Sequence, residues 1–306
     1  MSDQWNLSQV GDQKEKTVII TGANSGIGFE SARVFASHGA RVIFACRDPK
    51  KAEDAMAQIR EGNPAVEMNF IPLDLASLAS IKKFTGQFAA SYDSLDVLLN
   101  NAGIMMVPYG LTVDGFERQL GTNHFGHFAL TGLLIDRLVE TPGSRVVNIS
   151  SNAHYSGEID FSNLFFEEGG YTPKGAYDRS KLANLLFTYE LQRRLENQGT
   201  STLALAAHPG ISATGVADHF ISQPFTWLVR GAMKLVFQSA AMGALPGVRA
   251  AVDPEAIGGQ YYGPDGKGEK SGYPIVVDSN SASKNEEAAR TLWERSEELT
   301  GVAYLS

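Results

Sequence analysis

Short runs of apolar residues alternate along this chain with longer stretches in which apolar positions recur every three to four residues. Residues 17–21 (TVIIT) and 41–45 (RVIFA) are apolar and rich in β-branched side chains, the pattern of strands buried on both faces. Similar runs predict strands at 66–71, 95–99, 145–149 and 202–207. Within 27–38, Ala32, Phe35 and Ala36 recur at helical spacing, and Gly39 stops the helix. A second helix is predicted over 49–62, with proline at its start and glycine at its end, and others near 77–92, 113–139 and 173–198. Strands and helices in alternation imply right-handed crossovers and a doubly wound parallel sheet, an α/β fold with helices on both faces. Ligands then bind beyond the carboxyl ends of the strands.

No repeat or linker divides the 306 residues, so the pattern predicts a polar amino-terminal tail, 1–16, and one domain, 17–306. The segment 215–245 is expected to form a carboxyl-terminal substrate lid. Its stretch 224–245 is the most apolar in the chain, yet Arg230 and Lys234 interrupt it, so it reads as an amphipathic helix and no integral membrane span is expected. The net charge of −8 and the absence of a Lys/Arg cluster argue against nucleic acid as a partner. A single cysteine, Cys46, allows no internal disulfide or thiolate metal cage, and with no secretory pattern at the amino terminus a soluble cytoplasmic protein is expected.

The turn after the first strand reads Gly22-Ala23-Asn24-Ser25-Gly26-Ile27-Gly28. Glycines there let backbone amides approach a pyrophosphate, and the helix amino terminus adds about half a positive charge. Gly22, Asn24, Ser25, Gly26, Ile27 and Gly28 are thus candidate dinucleotide contacts. At the end of the second strand, where NAD-selective folds place an acid for the adenosine ribose, this chain has Arg47. A guanidinium suits a ribose 2′-phosphate, which favours NADP(H) over NAD(H), although Asp48 follows directly and could serve the ribose instead. Asp74 and Leu75 follow the third strand, and Asn101-Ala102-Gly103 the fourth.

Ser150-Ser151 follow the fifth strand, and Tyr177 and Lys181 lie four apart on a predicted helix, hence on one face. Such a phenol could give a proton to a carbonyl oxygen as hydride arrives. Moving it from about 10 to about 7 needs roughly 4 kcal/mol, for which a nearby ammonium and an oxidised nicotinamide are candidate sources.

Thr21-Gly22-x3-Gly26-x-Gly28, Asp74, Asn100-Asn101-Ala102-Gly103, Ser151, Tyr177-x3-Lys181 and Pro209-Gly210 together resemble the short-chain dehydrogenase/reductase family, from about 17 to 262. The segments Ala45-Cys46-Arg47, 122–128 (TNHFGHF), 180–184 (SKLAN) and His208-Pro209-Gly210 resemble its retinol dehydrogenase, WW-domain oxidoreductase and protochlorophyllide reductase branch. The resemblance implies a single-domain Rossmann fold. It also implies Tyr177 as general acid/base, Lys181 as the group that lowers its pKa and binds the nicotinamide ribose, Ser151 as the carbonyl donor with Ser150 as its rival, and Asn123 as part of a proton relay. Pro209 and Gly210 would cover the nicotinamide. Thr214 would bind its carboxamide or the phosphates, or else cap a helix.

The cysteines that protochlorophyllide reductases carry at the positions of Asn100 and Ile211 are missing here, which argues against light-driven ring reduction. The expected substrate is a lipophilic carbonyl or alcohol, retinoid- or steroid-like, near Ser151, Tyr177, His154 and Met105. A nucleotide sensor and a double-bond reductase are the rival readings. The long helices near 113–139 and 173–198 would offer a homodimer surface. His124 and His127 lack a third ligand, so no metal is expected.

Overall fold

A computed structural model describes residues 4–211 and 238–305. Eight strands form one sheet in the order β3-β2-β1-β4-β5-β6-β7-β8. They are β1 (Thr17–Thr21), β2 (Arg41–Cys46), β3 (Met68–Pro72), β4 (Val97–Asn100), β5 (Arg145–Ile149), β6 (Leu203–Ala207), β7 (Tyr261–Pro264) and β8 (Pro274–Val277). All neighbours are parallel except β7 and β8. The order reverses between β1 and β4, where two successive crossovers leave in opposite directions and open a crevice at the strands' carboxyl ends.

The helices are α1 (Gly26–Ser37), α2 (Pro49–Gly62), α3 (Leu78–Ala89), α4 (Arg118–Leu120), α5 (Gly126–Leu133), α6 (Ile135–Val139), α7 (Pro173–Asn197), α8 (Ala240–Val252) and α9 (Glu286–Thr300). Alternation along β1 divides the core. Val18 and Ile20 face α1, α2 and α8, whereas Ile19 faces α3, α5, α7 and α9. Local chemistry sets the helix starts. The Asp48 carboxylate accepts from the Lys51 amide ahead of Pro49, and the Thr172 hydroxyl accepts from Gly175 ahead of Pro173.

Three expectations change. The helix expected over 113–139 starts only at Arg118, because residues 111–117 fold into a tight hairpin whose Glu117 carboxylate caps α4. It then runs through a π-helical turn, Gly121–Phe125, before α5. The amino-terminal segment is not a free polar tail, since Trp5 and Val10 are buried against the core. Most of the segment expected as a lid lies outside the described residues, and residues 240–245 at its end belong to α8, where Ala244 and Leu245 are buried. None of the helices among the described residues is long and apolar enough to cross a membrane.

Candidate active site

The glycine turn between β1 and α1 forms one end of a cleft of about 1000 Å³. Gly22 has φ +69°, a conformation that strains other residues, and a Cβ on Gly28 would collide with the Gly22 carbonyl. The Ser25 side chain makes no capping bond at α1, which leaves this helix amino terminus open to the cleft. A turn that packed merely against protein would not need its backbone bared in this way, so the residues present fit a dinucleotide's phosphates.

The other sequence-predicted contacts divide into those on the cleft wall and those off it. Asn24, Gly26 and Ile27 line the phosphate end, and Arg47, Asp74 and Leu75 the neighbouring region. Asn101, Ala102, Gly103 and Met105 lie along the loop after β4, and Ser151, Tyr177, Lys181, Pro209 and Gly210 close the far end. Thr214 lies outside the described residues. His154, expected beside the substrate, is fully buried behind the wall, with Nδ1 2.7 Å from the Ser151 carbonyl and its ring against Tyr155 and Tyr261. Its short helical turn directs it into the protein, which adjacency to Ser151 in sequence does not show.

Asn123 is also buried off the cleft. Its Oδ1 accepts from the Ile104 amide at 2.8 Å, and its Nδ2 donates to the Ile104 carbonyl and Ser180 Oγ, both at 2.9 Å. The side-chain amide is thus engaged within the protein, and the backbone carbonyl lies 3.0 Å from His127 Nδ1.

Both serines border the cleft but differ in their surroundings: Ser150 is buried and donates to the Lys181 carbonyl at 2.8 Å, while the more open Ser151 stands beside Tyr177. Lys181 donates from Nζ to the Ile149 carbonyl at 3.0 Å, and its Nζ stands 5.6 Å from the Tyr177 ring centre. Burial lowers the ammonium to about 8 and raises the Tyr177 phenol to about 12, against a downward pull from the Ser151 hydroxyl. Desolvation of the phenol outweighs the pull of the Ser151 hydroxyl.

Sequence reasoning missed Lys51 and Arg118, which also line the cleft. A signal for Lys51 existed, because a cation in the first turn of a helix opposes the helix dipole and gains from an anion placed there. Asp48, the alternative ribose ligand, turns away from the cleft to cap α2. Arg179 was missed as well. It donates to the carbonyls of Glu158, Asn163 and Leu164 and so fastens the segment 158–164 to α7.

Behind the site, burial holds His124 down to about 3 and His127 down to about 4. Their folded pKa values lie below those of the unfolded chain, so between about pH 6.5 and 4 unfolding takes up protons and stability falls as acid is added. The expected slope is about 1.4 kcal/mol per pH unit for each histidine. Urea midpoints that stay constant from pH 7 to pH 5 would contradict this.

Comparison with known proteins extends the picture. The family model for short chain dehydrogenase matches residues 16–223. Human retinol dehydrogenase 13 is 41% identical over 292 residues, covering 94% of this chain and 85% of that protein. Human retinol dehydrogenase 14 is 42% identical over 306 residues, covering 94% and 87%. Among solved structures, an uncharacterized protein from Mycobacterium paratuberculosis superposes with a TM-score of 0.82 at 40% identity, covering 98% of this chain and 99% of that one. Salutaridine reductase from Papaver somniferum shares the fold at a TM-score of 0.64 and 20% identity, covering 81% and 99%.

Proposed function

Because the chain belongs to the short-chain dehydrogenase family, in its retinol dehydrogenase-like branch, and is an oxidoreductase acting on CH–OH or carbonyl groups with a nicotinamide cofactor, we propose that it is an NADP(H)-dependent reductase of lipophilic carbonyl compounds, with retinaldehyde the first candidate. The observation that carries the reading is the convergence of Ser151, Tyr177 and Lys181 at one end of a cleft whose other end is the bared glycine turn.

When bound, a nicotinamide cofactor would supply the hydride. This chain's residues do the rest. Ser151 and Tyr177 donate hydrogen bonds to the carbonyl oxygen as negative charge develops there, and Tyr177 gives up its proton. A phenol held near 12 is in the protonated form that reduction requires. Lys181, its Nζ tethered to the Ile149 carbonyl, would hold the nicotinamide ribose. Asn123 clamps the Ile104 loop to Ser180, and its carbonyl, 3.0 Å from His127 Nδ1, keeps a second lone pair for the proton path. Met105, on the cleft wall, contributes apolar surface to the substrate.

The preference for NADP(H) is supported by Arg47 and Lys51 on the cleft wall and by the commitment of Asp48 to helix capping. Arg47→Asp should weaken NADPH about a hundredfold, the scale of a lost charge-assisted contact of about 2–3 kcal/mol, and NADH far less. Fluorescence titration with both nucleotides checks this, and equal losses would reject the assignment. Consumption of NADPH on adding retinaldehyde, with retinol as product, tests the reaction itself. A double-bond reductase would yield a saturated aldehyde instead, and a nucleotide sensor would give no turnover.

A further inference from the structure

We infer that His127 is a positioning residue: an uncharged imidazole that ties the backbone carbonyl of Asn123 to Thr21, and so holds the proton-handling end of the cleft in register with the root of the glycine turn. His127 Nδ1 lies 3.0 Å from the Asn123 carbonyl oxygen, and Nε2 lies 2.9 Å from Thr21 Oγ1. A carbonyl only accepts, so Nδ1 carries the proton and Nε2 must accept from the Thr21 hydroxyl. The Thr21 oxygen then uses its lone pairs on the amides of Asn101 and Ala102, at 2.9 and 2.8 Å. Asn101 Nδ2 in turn donates to the Thr21 carbonyl at 2.8 Å. Every proton in this chain of bonds has one consistent place, and it spans β1, the loop after β4 and the π-helical turn.

A charged imidazole would break the arrangement, since Nε2–H would face a hydroxyl whose lone pairs are taken. His127 is 1% exposed, and burial keeps it neutral. The groups whose charge bears on it are His124 on its own helical segment and Lys181 from α7, and both oppose its protonation. Without the imidazole, the Thr21 hydroxyl has only the Leu99 carbonyl at 3.4 Å to donate to, and turning toward it draws its lone pairs away from the Asn101 and Ala102 amides. The turn that cradles the phosphates loosens at its first residue.

The geometry stands without the functional reading, and only the effect on turnover rests on it. In protein labelled with ¹⁵N-histidine and assigned by difference from His127→Gln, the ring should be the Nδ1–H tautomer and stay neutral down to about pH 5. An Nε2–H tautomer, or charging near 6.5, overturns the proposal. By fluorescence quenching, His127→Leu should bind NADPH about tenfold more weakly than the parent, while His127→Gln, whose amide oxygen reaches the place of Nε2 and can accept from the Thr21 hydroxyl, recovers most of that loss. NADPH affinity equal to the parent's in a folded His127→Leu overturns the proposal, and so does His127→Gln as weak as His127→Leu. If His127→Leu does not fold, the tautomer and His127→Gln still decide. With retinaldehyde, kcat of His127→Leu should fall while KM for the aldehyde stays within about twofold. A parent protein inert toward retinaldehyde would sink the functional reading, and the tautomer and NADPH affinities would judge His127 on their own.

Discussion

Tyr177→Phe should reduce retinaldehyde about a thousandfold more slowly than the parent while binding NADPH with nearly the same affinity. The substitution removes one oxygen atom from a half-buried ring and leaves its packing on α7 intact. What is lost is the proton that neutralises the developing oxyanion and one of the two hydrogen bonds aimed at it, effects worth about 10²–10⁴ in rate. Ser151→Ala should cost less, because Tyr177 can still donate. Turnover of Tyr177→Phe at the parent rate would leave only a nucleotide-binding role for the cleft. Stopped-flow hydride transfer from NADPH separates a chemical defect from a slow release step.

The largest effect on stability is expected at Trp293. Its indole is buried between α5, α7 and the carboxyl-terminal segment, with ring centres 5.0 Å from Phe128, 5.9 Å from Phe187 and 4.7 Å from Tyr304. The Arg194 guanidinium lies 4.4 Å from the indole centre. Trp293→Ala should destabilise the fold by about 3–5 kcal/mol, combining lost burial with the cavity left behind. Urea unfolding should show a lower midpoint, and a midpoint unchanged from the parent would contradict the packing. Trp293 Nε1 has no hydrogen-bond partner, so Trp293→Phe should recover much of the loss. The same cluster bears on assembly. α9 covers α5 and α7 around Phe128 and Phe187, so a homodimer through these helices would have to use the parts of their surfaces left outside this patch.

The sequence by itself determined the strands from β1 to β6, the glycine turn, Arg47, Asp74 and the pair Tyr177 and Lys181. Each of these is written in local periodicity, in glycine placement or in the i, i+4 spacing of a helix, which need no knowledge of distant residues. Some signals were present but unread. Asn285 followed by two glutamates, with Gly301 in a left-handed conformation at the far end, bounds α9 as clearly as any helix in the chain. Only the tertiary structure decided the rest. It sent His154 into the protein, engaged the Asn123 amide with Ile104 and Ser180, assigned Ser150 to Lys181, docked Trp5 and placed Trp293 across two helices. Whether a polar side chain meets a cleft or a backbone carbonyl depends on which strand ends the crossovers bring together. That is fixed by packing across the sheet, between residues tens to hundreds of positions apart.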